Sequence, residues 1–134
     1  MHMMITALTT VALALLLVFL SVATIRLRIK YEASFGDAGQ QGLACAIRAH
    51  GNLTEYAPIG IILIGLLETY DANHLALGIV ASAFVACRTL NAIGLFNPPG
   101  PPTATRSIGI VGTLLILLGL AVWLLILVHS PMPG

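Results

Sequence analysis

The sequence predicts an all-α integral membrane protein folded as an up-and-down four-helix bundle. Four long apolar runs, a shortage of charge and a one-sided distribution of basic residues predict it. Of the 134 residues, 58% are hydrophobic and 8% charged, and the mean hydropathy is +1.00. A soluble domain this small needs roughly a quarter to a third of its surface charged, so composition argues against a soluble fold. The length suits one domain over residues 1–134, since four crossings of about 20 residues use most of it.

The apolar runs lie at 4–27, 43–67, 75–95 and 107–128. Each is long enough for a hydrocarbon core of about 30 Å, and helices satisfy the backbone there without outside partners. The first run lacks a basic stretch before it and an AxA-like cleavage pattern, and it leads straight into IRLRIKY. It therefore reads as a retained span with a basic anchor, not as a cleaved leader. The second run carries the polar stretch IRAHGNLTEYAP. A short connection around Tyr70 to Asn73 folds the second and third helices into an antiparallel hairpin. The third run is interrupted only near its end by ACRTLNAIG, and the fourth, broken only by Gly, Ser or Thr, reads as scaffold or lipid-facing wall. Pairs such as Gly60 with Gly65, Gly78 with Ser82 and Gly109 with Gly112 suit close helix approach in lipid.

Between the runs, YEASFGDAGQQG at 31–42 is a polar, Gly-containing connection, and FNPPGPPTA at 96–104 holds four prolines that cannot continue a helix. Drawn back and forth, the chain places Arg26, Arg28, Lys30, Arg48, Arg88 and Arg106 on one side. The connection at 68–73 carries two acids and no Lys or Arg. The asymmetry predicts that loops 31–42 and 96–106 are cytoplasmic, with both termini on the opposite face. A net charge of +1 without a basic surface excludes nucleic-acid binding as a function class.

The polar stretch of the second helix carries the candidate chemistry. At 100° per residue, Asn52 lies about 40° from Arg48, Glu55 about 20° to its other side and Tyr56 about 80° away. The four share a stripe roughly 10 to 12 Å long. Charge inside a membrane is costly unless it pairs, binds a ligand or faces a wet cavity. Two readings follow: an Arg–Glu network that fastens helices, and a polar binding site entered from the cytoplasmic side. His50 points away from Arg48, toward a neighbouring helix or subunit. Arg88 and Asn91, three residues apart, share a face of the third helix, and Arg106 precedes the fourth. With Arg48 they suit a multiply anionic small molecule, or, for Arg88 and Arg106, snorkelling anchors. Two cysteines, Cys45 and Cys87, and four scattered histidines give neither a disulfide framework nor a metal-ligand spacing, so no metal is expected.

In RAHGNLTEYAP, residues 48–58, the chain resembles the MAPEG family, membrane-associated proteins in eicosanoid and glutathione metabolism, and in particular its short bacterial members. The resemblance spans nearly the whole chain. It implies a four-helix subunit assembled into homotrimers in the bacterial inner membrane, with glutathione as co-substrate held between subunits. The implied function is that of a membrane-bound glutathione transferase or peroxidase acting on lipophilic small molecules. Carried onto matching positions, Arg48, Asn52, Glu55 and Tyr56 grip glutathione, with Glu55 addressing its amino group and Arg48 a carboxylate. His50 occupies a position often used for a polar contact. Arg26 or Arg28 matches the basic end of the first helix, and Arg106 resembles the arginine credited with stabilising the thiolate. The third helix departs from the family pattern, offering Asn91 and Leu95 where eicosanoid-forming members place two tyrosines. That departure argues against leukotriene synthesis and keeps a non-catalytic binder of glutathione or another small anion open. A small transporter is the remaining alternative.

Overall fold

The computed structural model describes residues 3–96 and 103–129. They form α1 (Met4–Lys30), α2 (Gln41–Thr69), α3 (His74–Phe96) and α4 (Ala104–His129). Each expected apolar run lies inside one helix, and the helices continue beyond it by one to three residues at most ends. The central prolines of the connection before Arg106 lie outside the described residues, as do the chain's first two and last five residues.

Helices α1, α3 and α4 are long and apolar enough to cross a membrane. Helix α2, at 29 residues, is longer than any of them, but Arg48, His50, Asn52 and Glu55 dilute its first half. Four equivalent spans are thus replaced by three apolar ones and a fourth helix with a polar stripe. The helices alternate in direction. The start of α1 meets the end of α2 through Thr6 and Glu68, α2 meets α3 through Asn52 and Arg88, and the end of α3 meets the start of α4 through Asn91 and Arg106. Helices α2 and α3 form the inner pair; among the described residues α1 and α4 do not touch. This order brings the segments that bear all six basic residues to one end of the bundle. The shared core includes Leu13, Leu20, Leu53, Ile64, Leu67, Leu77, Phe84 and Leu120.

Close packing of α3 on α4 depends on two glycines. A Cβ at Gly109 would lie 2.5 Å from the backbone nitrogen of Asn91, and one at Gly94 would lie 2.5 Å from that of Arg106. Neither neighbour can move aside, because both are main chain. Gly60 likewise receives the Phe84 ring on α2, whereas Gly78 faces open space. The small residues are therefore not equivalent, and among the described residues Gly78 makes no close approach to another helix.

The connections after α1 and α2 leave their helices by the same device. Glu32 and Asp71 take left-handed backbone, φ 51° and 52°, and the next residue's N–H reaches back to the helix, Ala33 to Arg28 O at 2.9 Å and Ala72 to Leu67 O at 3.1 Å. This is a Schellman-type ending with an acid where glycine is usual. Ala33 and Ala72, both buried, are small enough to tuck under the turn. Arg28 then secures the first connection, donating from Nη1 to the carbonyls of Ala33 and Gly36 at 3.2 and 3.0 Å.

The opposite end of the bundle is closed by Glu68. Its carboxylate accepts from the N–H groups of Ile5 at 2.9 Å and Thr6 at 2.8 Å, and from the Thr6 hydroxyl at 2.6 Å. Helix α1 has no cap from its own sequence, so an acid from α2 satisfies two of its first N–H groups and meets the positive end of its dipole. Glu68 is 3% exposed. It is a tertiary helix cap, not the solvated loop acid that its place in the sequence suggests.

Two outcomes are expected in thermal unfolding of the detergent-solubilised protein. Gly109→Ala should cost about 1–3 kcal/mol by overpacking, while Gly78→Ala should be neutral or slightly stabilising. Glu68→Ala should cost about 3 kcal/mol, the loss of charge-assisted hydrogen bonds at a buried helix end. Equal behaviour of the two glycine variants, or an unchanged melt for Glu68→Ala, would contradict these assignments.

Candidate functional site

The polar stripe of α2 divides into an outer and an inner half. Arg48 and Glu55, seven residues apart, turn outward and pair at 3.3 Å with side chains 59% and 51% exposed. Asn52, between them in sequence, turns inward and is 7% exposed. Tyr56 is half-buried beside it. Pro58 follows within the helix; it cannot donate to the carbonyl of Thr54, which loosens the ladder just beyond the stripe.

Arg88 enters from α3 behind this stripe, 2% exposed. Its Nη1 donates to Asn52 Oδ1 at 2.9 Å, its Nε to Thr113 Oγ1 at 2.8 Å and its Nη2 to the carbonyl of Gly109 at 3.4 Å. The guanidinium carbon lies 5.1 Å from the Tyr56 ring centroid. Thr113 passes its own proton to Gly109 O at 2.8 Å. One buried cation thus joins α2, α3 and α4 with hydrogen bonds and an aromatic face but, among the described residues, no carboxylate. An isolated buried charge is expensive, and these contacts offset that cost.

The other residues singled out in the sequence fall into separate places. Asn91 is buried and donates from Nδ2 to the carbonyl of Arg106 at 3.3 Å, so it fastens α3 to α4. Leu95 is buried in the apolar core. The Arg106 side chain lies exposed in the first turn of α4, whose N-terminus is capped by Thr103 Oγ1 accepting from Arg106 N at 3.4 Å. His50 lines a groove between α1 and α2 with Ser21, Thr24, Ile25, Arg28 and Ile47. Arg28 is largely committed to the loop carbonyls, while Arg26 is exposed on α1. Within one protomer, then, Asn52, Tyr56 and Arg88 come together, Arg48 and Glu55 form a neighbouring pair, and Arg106 stands apart.

Sequence reasoning missed Thr113. It lies in the run read as featureless wall, yet it is fully buried. The usable signal was its spacing of four from Gly109, which puts a hydroxyl and a close-approach glycine on one face.

What the arrangement offers chemically is an exposed donor and an exposed acceptor on α2, with a buried amide behind them. Arg48 presents a planar fork for a carboxylate, Glu55 an acceptor for an ammonium group, and Asn52 an amide whose carbonyl is already taken. The family model described as the MAPEG family matches residues 6–126. Inner membrane protein YecN of Escherichia coli strain K12 is 38% identical over 94 residues, which cover 70% of this chain and 72% of the relative. The YecN of Escherichia coli O6:H1 strain CFT073 matches with the same identity and coverage.

Removing Thr113's hydroxyl tests whether the knot matters to the fold. Thr113→Val leaves the Arg88 Nε buried without its acceptor and should lower detergent-phase stability by about 1–3 kcal/mol; Thr103→Val, at an exposed cap, should cost about 1 kcal/mol or less.

Proposed function

Because this chain belongs to the MAPEG family, we propose that it is a membrane-bound glutathione transferase or peroxidase for lipophilic electrophiles, working as a homotrimer in the bacterial inner membrane. The observation that carries the reading is the exposed Arg48–Glu55 pair. Glu55 lies fourteen residues into α2, about 21 Å along the axis, a depth at which an outward-facing carboxylate does not meet lipid. A second subunit covering that face, with a hydrophilic ligand between, resolves the conflict. The name inner membrane protein carried by the relatives supports the compartment, and the basic end of the bundle then lies toward the cytoplasm.

In this reading Arg48 holds a carboxylate of glutathione, Glu55 its amino group, and Asn52 and Tyr56 contribute polar contacts along the same face. Arg106, beside the N-terminus of α4, comes from the neighbouring protomer together with the positive end of that helix dipole. Both favour a thiolate over a thiol. A model thiol titrates near about 8.5, and a decrease of roughly two units, within the reach of one close cation in a sheltered site, populates the thiolate at neutral pH. The sulfur's electron pair then forms the C–S bond to an electrophilic carbon arriving from the bilayer as that carbon's bond to its leaving group breaks, the bonding pair departing with the leaving group, and the proton released on ionisation of the thiol goes to solvent.

Asn91 and Leu95 favour a second reading, a glutathione binder without turnover. Asn91 is tied to α4 and Leu95 is a buried apolar side chain, so the third helix supplies no hydroxyl at the positions where eicosanoid-forming members of the family have tyrosines.

Titration calorimetry with glutathione should give saturable binding that Arg48→Ala weakens at least tenfold and Arg28→Ala leaves nearly unchanged. Equal effects of the two would remove the site from the α2 stripe. Native mass spectrometry in mild detergent should give trimers; monomers across a wide concentration range would contradict the covered-face argument. Arg106→Ala should leave binding measurable while raising the pKa of the bound thiol, so the pH at which transferase activity reaches half its maximum moves upward.

A further inference from the structure

We propose that Arg88 is a positioning residue: it fixes the Asn52 amide with its carbonyl inward and its NH₂ outward, so that the site reads a hydrogen-bond acceptor of the ligand at this point. The inference rests on the glutathione reading of the α2 stripe and adds to it the polarity of one contact. Arginine has only donors. Its Nη1 at 2.9 Å therefore identifies the Asn52 atom it meets as the carbonyl oxygen, an orientation that does not depend on how the amide is assigned. The Asn52 side chain is more than nine-tenths buried. Its Nδ2, among the described residues, has no protein partner, and it is not sealed from the surface, since no enclosed side-chain nitrogen or oxygen lacks a hydrogen bond. A buried amide held by its oxygen, with its nitrogen unused among the described residues and not sealed from the surface, is poised for a carboxylate or peptide carbonyl oxygen.

The same guanidinium is held in place from behind. Thr113 Oγ1 accepts from Nε and is itself held by donating to the carbonyl of Gly109 on α4, and the Tyr56 ring covers the guanidinium at 5.1 Å. A relay therefore runs from the α4 backbone through Thr113 and Arg88 to Asn52. None of Arg88's donating contacts faces outward, so its influence on a ligand passes through Asn52 and Tyr56.

A double-mutant cycle on glutathione affinity, measured on the intact protein, tests the assignment. Asn52→Ala and Arg88→Lys should each weaken binding about tenfold, and the double variant should be no weaker than either single one, since both remove the same contact. Multiplicative losses near a hundredfold would mean that Arg88 acts on the ligand directly, and an unchanged affinity in Arg88→Lys would mean that it is structural only. Either result overturns the proposal. If Arg88→Lys does not fold, Thr113→Val serves: it lies behind the guanidinium, and it should weaken glutathione binding about threefold, whereas a purely structural hydroxyl would lower the melting temperature and leave affinity intact. A ligand-free readout separates this proposal from the glutathione reading. With ¹⁵N-labelled asparagine, the side-chain NH₂ pair that disappears in Asn52→Ala should shift or broaden in Arg88→Lys. An unmoved pair refutes the positioning role even if glutathione binds, and a moved pair supports it even if wild-type protein proves not to bind glutathione.

Discussion

A buried charge with no carboxylate partner among the described residues governs this structure. Arg88 sits inside three helices, and its cost is offset by contacts that each require a particular neighbour: the amide oxygen of Asn52, the hydroxyl of Thr113, the carbonyl of Gly109 and the face of Tyr56. Those requirements fix the rotation of α2 and α4 about α3 more tightly than apolar side chains do in lipid, where burial of one leucine against another gains little over burial against acyl chains. Gly109 serves twice, since its lack of a Cβ lets Asn91 close in and its carbonyl receives both Thr113 and Arg88. Once α2 is held at that rotation, Arg48 and Glu55 have to emerge on the opposite side of the stripe from Asn52. The outer polar face is thus a consequence of the inner knot.

At the far end the same economy recurs with opposite sign. Glu68 is an acid enclosed at the junction of α1 and α2, and it is tolerated because helix N-terminal N–H groups, which need acceptors in any case, supply its partners. One cation and one anion, Arg88 and Glu68, each held by protein partners, lock the bundle independently at two separate levels. The middle is left to leucine, isoleucine and the Gly60–Phe84 contact.

Much of this was legible from sequence because lipid imposes a simple rule. Apolar runs of the right length become helices, and the basic residues of an alternating bundle collect at one end. The stripe of α2 was legible as a single face but not as two halves. A 100° repeat places Asn52 and Glu55 only about 60° apart, and which of them faces inward depends on Arg88 and Thr113, residues on other helices. Arg88 itself reads as a ligand contact or a snorkelling anchor until its partners are in place, and its role as a knot emerges only from the fold. Glu68 was hidden for a related reason: an acid at the end of an apolar run looks solvated, and only the antiparallel return of the chain delivers the N-terminus of α1 to it. Glu32 and Asp71 show the limit of turn chemistry, since both helices end in left-handed turns without the glycine that normally announces one.

The central claim is that the outward half of the α2 stripe, completed across a subunit boundary, binds glutathione and favours its thiolate. The most direct measurement is the ultraviolet thiolate difference spectrum of the purified protein during a glutathione titration near neutral pH. A saturable thiolate signal that approaches one equivalent per occupied site and is lost in Arg48→Ala is expected. A flat spectrum for the wild-type protein, across glutathione concentrations up to the millimolar range, would contradict it.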